Sequence, residues 1–417
     1  MKKADKKVWM PIFLSFTAVL LTAVFVFNRP MDLSKSEAFL IKNSILERTG
    51  KILSQISRTA REASASEEKF IKPEIVKGVY LTGWSASLES KIDYVYDLAE
   101  SAGVNTVVID IKDYSGYVSY DVDDYTAPKV KEYGAEKIKI YDIDNLIRNF
   151  HDRGIYTIAR IAVFQDPVLV HAREDLAVYN KYHQTSQKWD LSFLLSNISV
   201  WLDNMKLAWI DPASEESWDY NISIAKDALN RGFDEINFDY VRFPSDGDLS
   251  NMGFPKWDGT TPKHLVIRSF FQKVRESLPD AVLSIDLFGL STVNYDDLGI
   301  GQVIEDAYEY FDYVCPMVYP SHYANGFMGY GSPAEHPYEV VKYSIDKGLL
   351  RLKAFNELDN KRDVYLRPWL QDFNLGAVYN MDMVKAQIQA TKDSLGNDYK
   401  GFMLWNSSNI YTGSAVF

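Results

Sequence analysis

A chain of 417 residues, 47% of them hydrophobic, has enough apolar side chains for one large domain plus extras. Its formal net charge of −12 argues against a nucleic-acid footprint. Cys315 is the lone cysteine, which excludes an internal disulfide, and six scattered histidines with no glycine-rich phosphate loop point to no metal and no cofactor.

Met1 to Lys7 carries four lysines and one aspartate, and Val8 to Phe27 then runs for about 20 residues without a charge. At about 1.5 Å per residue that is long enough to span a hydrocarbon core. No small-residue cleavage site follows, only Asn28-Arg29-Pro30. The expectation is an uncleaved signal anchor over residues 1–30 in the cell membrane. The lysine bias places the N-terminus inside and the single-pass chain's C-terminal domain outside the cytoplasm. A cleaved signal peptide with an unusual site is the alternative. Residues 31–75 are charged and Ser-rich, with Phe39, Ile41, Ile45, Leu46, Ile52, Leu53 and Ile56 at near-helical spacing, and read as a helical stalk or spacer.

From Val76 to the end, strands alternate with helices. Val76 to Gly83 reads as the first strand, followed by a helix from Ser90 to Ser101. Val104 to Asp110 is the second, an apolar run of the kind buried on both faces of a parallel sheet. A helix from Ile143 to Arg153 leads to the third, Ile155 to Val163. The connection from Phe164 to Pro212 is long and holds Trp189, Trp201 and Trp209, and long connections in compact domains are usually functional or disordered. A helix from Trp218 to Arg231 stops at Gly232 and feeds the fourth strand, ending at Asp239. Helices Pro262 to Leu278, Val303 to Phe311, Tyr338 to Lys347 and Met381 to Leu395 introduce Ala281 to Phe288, Tyr313 to Tyr319, Tyr365 to Leu370 and Gly401 to Trp405. Eight strands with intervening helices predict an α/β fold, a closed (β/α)8 TIM barrel behind a single transmembrane helix and a stalk. The chain runs only to Phe417 after the eighth strand, too short for a full last helix, so the stalk or the residues before Val76 are expected to help cover that gap.

Barrel active sites are built from the C-terminal ends of the strands. Those ends carry Asp110, Arg160, Asn237, Asp239, Arg242, Asp286, Tyr319, His322, Trp369, Gln371, Asp372 and Trp405, with Trp84 after the first strand. Asp110, Asn237, Asp239 and Asp286 each alternate with apolar neighbours, so they should project into one mouth. Carboxylates crowded there raise at least one pKa, and one protonated acid beside one ionised base is what glycosidic cleavage needs. Arg160, Arg242 and Arg367 are placed to hold other carboxylates ionised. The competing reading is a structural ion-pair network. Trp84, Tyr319, Tyr323, Trp369 and Trp405 are suitable sugar platforms, and His322 a binding group. Asp110, Asp113, Asp121, Asp123 and Asp124 offer at most a loose calcium site, since Asp121 to Asp124 lacks the calcium-loop pattern.

The strings Gly78-Val79-Tyr80-Leu81-Thr82-Gly83-Trp84, Val108-Ile109-Asp110-Ile111-Lys112-Asp113, Phe238-Asp239-Tyr240-Val241-Arg242-Phe243-Pro244-Ser245, Cys315-Pro316-Met317-Val318-Tyr319-Pro320-Ser321-His322-Tyr323 and Arg367-Pro368-Trp369-Leu370-Gln371-Asp372-Phe373 resemble the putative glycoside hydrolase domain family, formerly a domain of unknown function. The resemblance covers about Val76 to Tyr411 and implies a TIM barrel of the glycosidase superfamily, with no substrate attached. The segment from Trp209-Ile210-Asp211-Pro212 to Asp239 is also similar to barrels related to the α-amylase group, whose nucleophile ends the fourth strand, and this likeness puts Asp239 at that position. That group has a Glu on strand five where this chain has Asp286, and an Asp after strand seven, where this chain has Asp372. The arginine that precedes its nucleophile is absent; Arg242 follows Asp239 instead. The acid is therefore left between Asp286, taken first, and Asp110. The expectation is a membrane-anchored extracytoplasmic glycoside hydrolase acting on a polysaccharide or oligosaccharide, with no nucleic-acid partner. The alternatives are a non-catalytic glycan-binding barrel or an envelope scaffold.

Overall fold

The computed structural model describes residues 70, 72–181, 200–357 and 363–413. The expected membrane span from Val8 to Phe27, the stalk up to residue 69, and Trp189 lie outside the described residues, among which no helix is long and apolar enough to cross a membrane.

A repeating unit of helix, turn and buried strand makes the scaffold. β1 (Val76–Leu81) leads through α1 (Glu89–Ala102) to β2 (Thr106–Lys112). An excursion of β3 (Val118–Tyr120), α2 (Pro128–Glu132) and β4 (Glu136–Ile140) precedes α3 (Ile143–His151) and β5 (Tyr156–Ala162). α4 (Pro167–Ala172) and β6 (Tyr179–Asn180) come before α5 (Glu215–Arg231) and β7 (Glu235–Asp239). β8 (Met252–Gly253) pairs antiparallel with β6, and α6 (Lys263–Ser277) brings in β9 (Leu283–Phe288). α7 (Ile304–Tyr310) and β10 (Tyr313–Met317), α8 (Pro337–Asn356) with β11 (Tyr365–Leu366) and β12 (Trp369–Gln371), then α9 (Met381–Leu395) and β13 (Gly401–Trp405) complete the circuit.

The staves β1, β2, β5, β7, β9, β10, β11/β12 and β13 pair in parallel, and β13 returns to β1, so the barrel closes. Closure leaves no sheet edge among the staves. Outward-facing Val79, Val107, Ile109, Ala159, Ile161, Ile236, Phe238 and Ile285 merge with the inner helix faces into one apolar cluster. The Phe238 ring meets Phe270 of α6 edge to face at 5.9 Å. With apolar side chains spent on the outside, the opposite parity of each stave is free to carry polar groups inward.

Three departures from the sequence reading have local causes. The seventh stave breaks between β11 and β12 because Pro368 has no N–H for the ladder. α8 continues past the expected stop at Lys347, with Gly348 inside it; a side chain there would press on Leu366 and Thr292, so the glycine serves close packing. The excursion through β3 and β4 lies outside the circuit of staves: β3 has only three residues, and β4 is partly exposed, so neither shows the buried apolar run of a stave.

At the N-terminal floor, the Lys72 ammonium lies 4.3 Å from the Tyr313 ring centre and 5.5 Å from that of Tyr156. This part of the chain before β1 therefore runs beneath the barrel. The segment after β13 packs along α1: Tyr94 donates to the Tyr411 carbonyl at 3.1 Å, and a side chain at Gly413 would strike Leu98.

Candidate active site

The site begins with how β7 is delivered. Ser214 caps α5 by accepting from the Ser217 N–H, and Gly232 ends it in the left-handed region at φ 108°. β7 then alternates Glu235, Asn237 and Asp239 inward with Ile236 and Phe238 outward. Immediately after it, Tyr240 adopts φ 54°, uncommon and strained for a bulky residue, and its N–H donates to Asp239 Oδ1 at 2.5 Å. The kink holds the Asp239 carboxyl at the strand end.

Phe238 pairs with Ile285, so Asp239 and Asp286 stand side by side on the next rung of β7 and β9. Neighbouring strands lie about 4.8 Å apart, which sets the spacing of their Cα atoms. Arg160 of β5 lies between the acids. Its Nη1 donates to Asp110 Oδ1 at 2.5 Å, its Nη2 to Asp239 Oδ2, and its Nε to Asp286 Oδ2 at 3.3 Å. Burial opposes the Arg160 cation, but the carboxylates of Asp110, Asp239 and Asp286 together hold its pKa well above the ordinary value.

Asp286 is almost fully buried, and it also accepts from Asn237 Nδ2 at 2.9 Å and Trp369 Nε1 at 2.7 Å. Burial, then the Asp239 charge, pushes the Asp286 carboxyl up to about 7, against the pull of Arg160, Asn237 and Trp369. Asp110 is raised by burial, while Arg160 and the Tyr80 hydroxyl, which donates to Oδ2 at 2.5 Å, pull the other way. Burial and Asp110 in turn raise the Tyr80 phenol, which stays protonated.

Above the acids opens a cavity of ≈ 470 Å³ lined by Arg160, Asp239, Tyr240, Arg242, Asp286, Phe288, Met317, Tyr319, His322, Trp369 and Trp405, among others. Burial lowers the His322 pKa, so its ring is neutral near pH 7. The walls are largely aromatic, with the edge of Trp369 meeting Trp405 at 6.1 Å between centres. Flat apolar walls around a few convergent polar groups are the ordinary form of a small-ligand site.

Of the residues expected at the site, Arg160, Asp239, Arg242, Asp286, Tyr319, His322, Trp369 and Trp405 line this cavity. Asp110 sits beneath Arg160, and Asn237 beneath Asp286. Trp84 is 61% exposed under the Lys139 ammonium, outside the cavity lining. Gln371 accepts from the Ser321 N–H and donates to the Phe373 carbonyl, bracing two loops. Asp372 accepts from the Thr412 N–H and hydroxyl, at 2.7 and 2.8 Å, and tethers the segment after β13. Arg367 pairs with Glu235 at the floor, not with the acids of the mouth. Asp121 and Asp124 are both paired with Lys131 at the surface.

The model of the family described as "Putative glycosyl hydrolase domain" matches residues 78–411. The chain belongs to that family. A search of curated proteins returns no significant match. Among solved structures, a hypothetical protein from Ruminiclostridium thermocellum is 40% identical over 50% of this chain and 96% of its own, with a TM-score of 0.42. The Flavobacterium johnsoniae chitobiase is 11% identical over 82% of this chain and 47% of its own, with a TM-score of 0.48. The glycoside hydrolase domain of PelA from Pseudomonas aeruginosa is 10% identical over 81% of this chain and 97% of its own, with a TM-score of 0.41.

In this glycosyl hydrolase domain the cavity and the acids beneath it also rest on residues that the strand-end pattern does not single out. Tyr80 of β1 turns inward, and its hydroxyl meets Asp110 on neighbouring β2. Phe288 and Met317 end their staves as apolar residues and carry no polar signal. Gly289 is needed for close approach: a Cβ there would fall 2.6 Å from the Met317 carbonyl oxygen and 2.6 Å from the Tyr323 hydroxyl.

Proposed function

We propose that the chain is a glycoside hydrolase that cleaves a polysaccharide or oligosaccharide with two carboxylates, Asp239 as nucleophile or base and Asp286 as acid. The observation that carries this is the pair at the ends of neighbouring β7 and β9, open to an aromatic cavity and bound to one guanidinium. Both carboxyls meet the one Arg160 guanidinium, Asp239 through Nη2 and Asp286 through Nε, and this closeness favours the retaining geometry, with carboxyls about 5–5.5 Å apart, over the inverting one at about 6.5–9.5 Å. Asp286, pushed up to about 7, can hold a proton at neutral pH and pass it to the glycosidic oxygen as that bond breaks. Asp239 then attacks the anomeric carbon, and water with Asp286 as base releases the sugar. Trp369, Trp405 and Tyr319 would stack on sugar faces, and Tyr80 and Asn237 would fix Asp110 and Asp286.

A second reading, a non-catalytic glycan-binding barrel, draws on one observation. Asp286 accepts N–H groups from Arg160, Asn237 and Trp369, a donor set that suits an ionised carboxylate. Reducing-end release by the full-length chain over a panel of cell-wall and capsular glycans decides between them, with Asp239→Asn and Asp286→Asn beside it. Release lost in both variants supports hydrolysis; glycan binding without release supports the second reading.

The same proposal places the domain outside the cytoplasm on a membrane anchor at residues 1–30 and a spacer at 31–75. The uncharged run from Val8 to Phe27 behind four lysines supports it. Recovery of the full-length chain in the soluble fraction after high-salt washing would count against the anchor.

A further inference from the structure

The cavity wall holds a cation that the proposed hydrolysis leaves unused. Arg242 is 7% exposed and lines the cavity beside Asp239 and Asp286. Its guanidinium carbon lies 4.7 Å from the ring centre of Trp209, 4.8 Å from Phe288 and 5.5 Å from Tyr240. Among the described residues its hydrogen bonds come from Nη1 alone, to the Phe243 carbonyl at 3.3 Å and the Ser245 hydroxyl at 3.0 Å. No described carboxylate pairs with it at ion-pair distance, whereas Arg160 holds Asp110, Asp239 and Asp286, and Arg367 holds Glu235. Arg242 lines the cavity, and its Nε and Nη2 edge has no hydrogen-bond partner among the described residues.

A guanidinium taken out of water is destabilising unless an anion or several acceptors compensate it. Three rings fix its plane, and two N–H-bearing nitrogens on one edge form the fork that matches a planar oxyanion. His322, neutral in this wall, adds no second cation. The chain's net charge of −12 disfavours loose adsorption of a polyanion, so recognition would rest on this directed contact.

We infer that Arg242 binds an anionic substituent, a carboxylate or a phosphate, on the sugar that occupies the cavity, and that the ligand is an acidic glycan. The inference takes its location from the hydrolase reading and its chemistry from Arg242. The aromatic stack orients the guanidinium, and the acid–base pair below it works on the same sugar.

The test is equilibrium binding by calorimetry with the full-length chain in detergent. The probes are oligosaccharides of polygalacturonate and of hyaluronan with their carboxyl-reduced counterparts, and phosphorylated dextran with plain dextran. Wild type should bind at least one acidic probe about ten- to hundredfold more tightly than its neutral counterpart, the span of one hydrogen-bonded charged contact. The arm that shows the preference identifies carboxylate or phosphate. Arg242→Gln should erase the preference and Arg242→Lys keep part of it, since lysine retains charge without the fork. Should Arg242→Gln fail to fold by circular dichroism, the wild-type pairs and Arg242→Lys carry the test. No preference in any pair, or one that the folded variant leaves whole, overturns the inference. Reducing ends counted in the same samples separate the two claims. Preference without release keeps the acidic ligand and sinks the hydrolase; equal release and binding from acidic and neutral probes keeps the hydrolase and sinks the acidic ligand.

Discussion

Asp239 and Asp286 each directly follow the last paired rung of β7 and β9, Phe238 with Ile285, and draw on the same guanidinium, that of Arg160. One cation shared by these two carboxylates and by Asp110 leaves the group short of positive charge. Asp286, the more buried of the pair, is where that shortage appears as an affinity for a proton. The arrangement therefore favours a proton on Asp286, as the proposed role of acid requires.

If that division of labour holds, neither carboxylate can be replaced by its amide. Asp239→Asn should lower kcat by at least about 10³, and Asp286→Asn by about 10²–10⁴ on a glycan whose leaving group needs a proton. On an aryl glycoside with an acidic leaving group, Asp286→Asn should recover most of its rate while Asp239→Asn does not. Steady-state kinetics on the two substrates reads this directly. Equal loss in both variants on both substrates would remove the acid role from Asp286.

The pH profile follows from the same pair. An acid must be protonated, so kcat/KM should fall as pH rises through about 7, the value of Asp286. The sign for stability agrees. The folded value lies above that of the unfolded chain, near about 4, so the stabilising contribution is complete below about 4 and is lost as pH rises through the folded value. Asp239 is the second cause of the shift after burial, so Asp239→Asn should move the Asp286 titration downward but not back to the ordinary carboxylate range. Carboxyl-carbon NMR of labelled aspartates in wild type and variant measures it, and an unmoved Asp286 would mean that the two acids do not feel each other.

How far this site could be read from sequence depends on which contacts are periodic. Asp110, Asn237, Asp239 and Asp286 betray their common direction by alternating with apolar neighbours, a regularity that β-structure imposes. The eight staves were legible for the same reason, because each buried run was bounded by a helix and a turn residue. Gln371 and Asp372 have the composition of site residues but turn to the Ser321 loop and the Thr412 segment, contacts separated by 50 and 40 positions. Trp84 illustrates a related limit: aromatic character says nothing about which side of a loop a ring will take, and here it lies under Lys139. Arg367 belongs to the barrel floor because its inward step lies one layer below Trp369, a register that only the break at Pro368 reveals.

Arg160 should prove as important to folding as to chemistry. Its side chain is 7% exposed and each of its nitrogens meets a different carboxylate. Arg160→Met would leave these acids without their cation, and loss of one partner from a buried charged set costs about 3–5 kcal/mol. Urea denaturation should show that loss at neutral pH and a smaller one at pH 4–5, where Asp110 and Asp286, both raised by burial, can take up protons instead. A penalty independent of pH would point to lost packing.

The floor of the barrel offers a control in which charge is buried far from the cavity. Arg367 and Glu235 are fully buried on each other, with Arg367 Nη1 donating to Glu235 Oε2 at 3.2 Å and the guanidinium 4.1 Å from the centre of the Tyr313 ring. Arg367→Met strands a carboxylate, and Glu235→Gln weakens the compensation of a guanidinium; each should cost stability, the first by about 3–5 kcal/mol. The double change Arg367→Met with Glu235→Leu removes both charges and should recover most of that cost, because the desolvation of both ions disappears with their attraction. A double-mutant cycle on urea midpoints measures the coupling. Additive losses would show that the pair contributes through shape alone. Activity supplies the second readout: neither residue lines the cavity, so the double variant should retain the pH dependence set by Asp286 even where its stability differs.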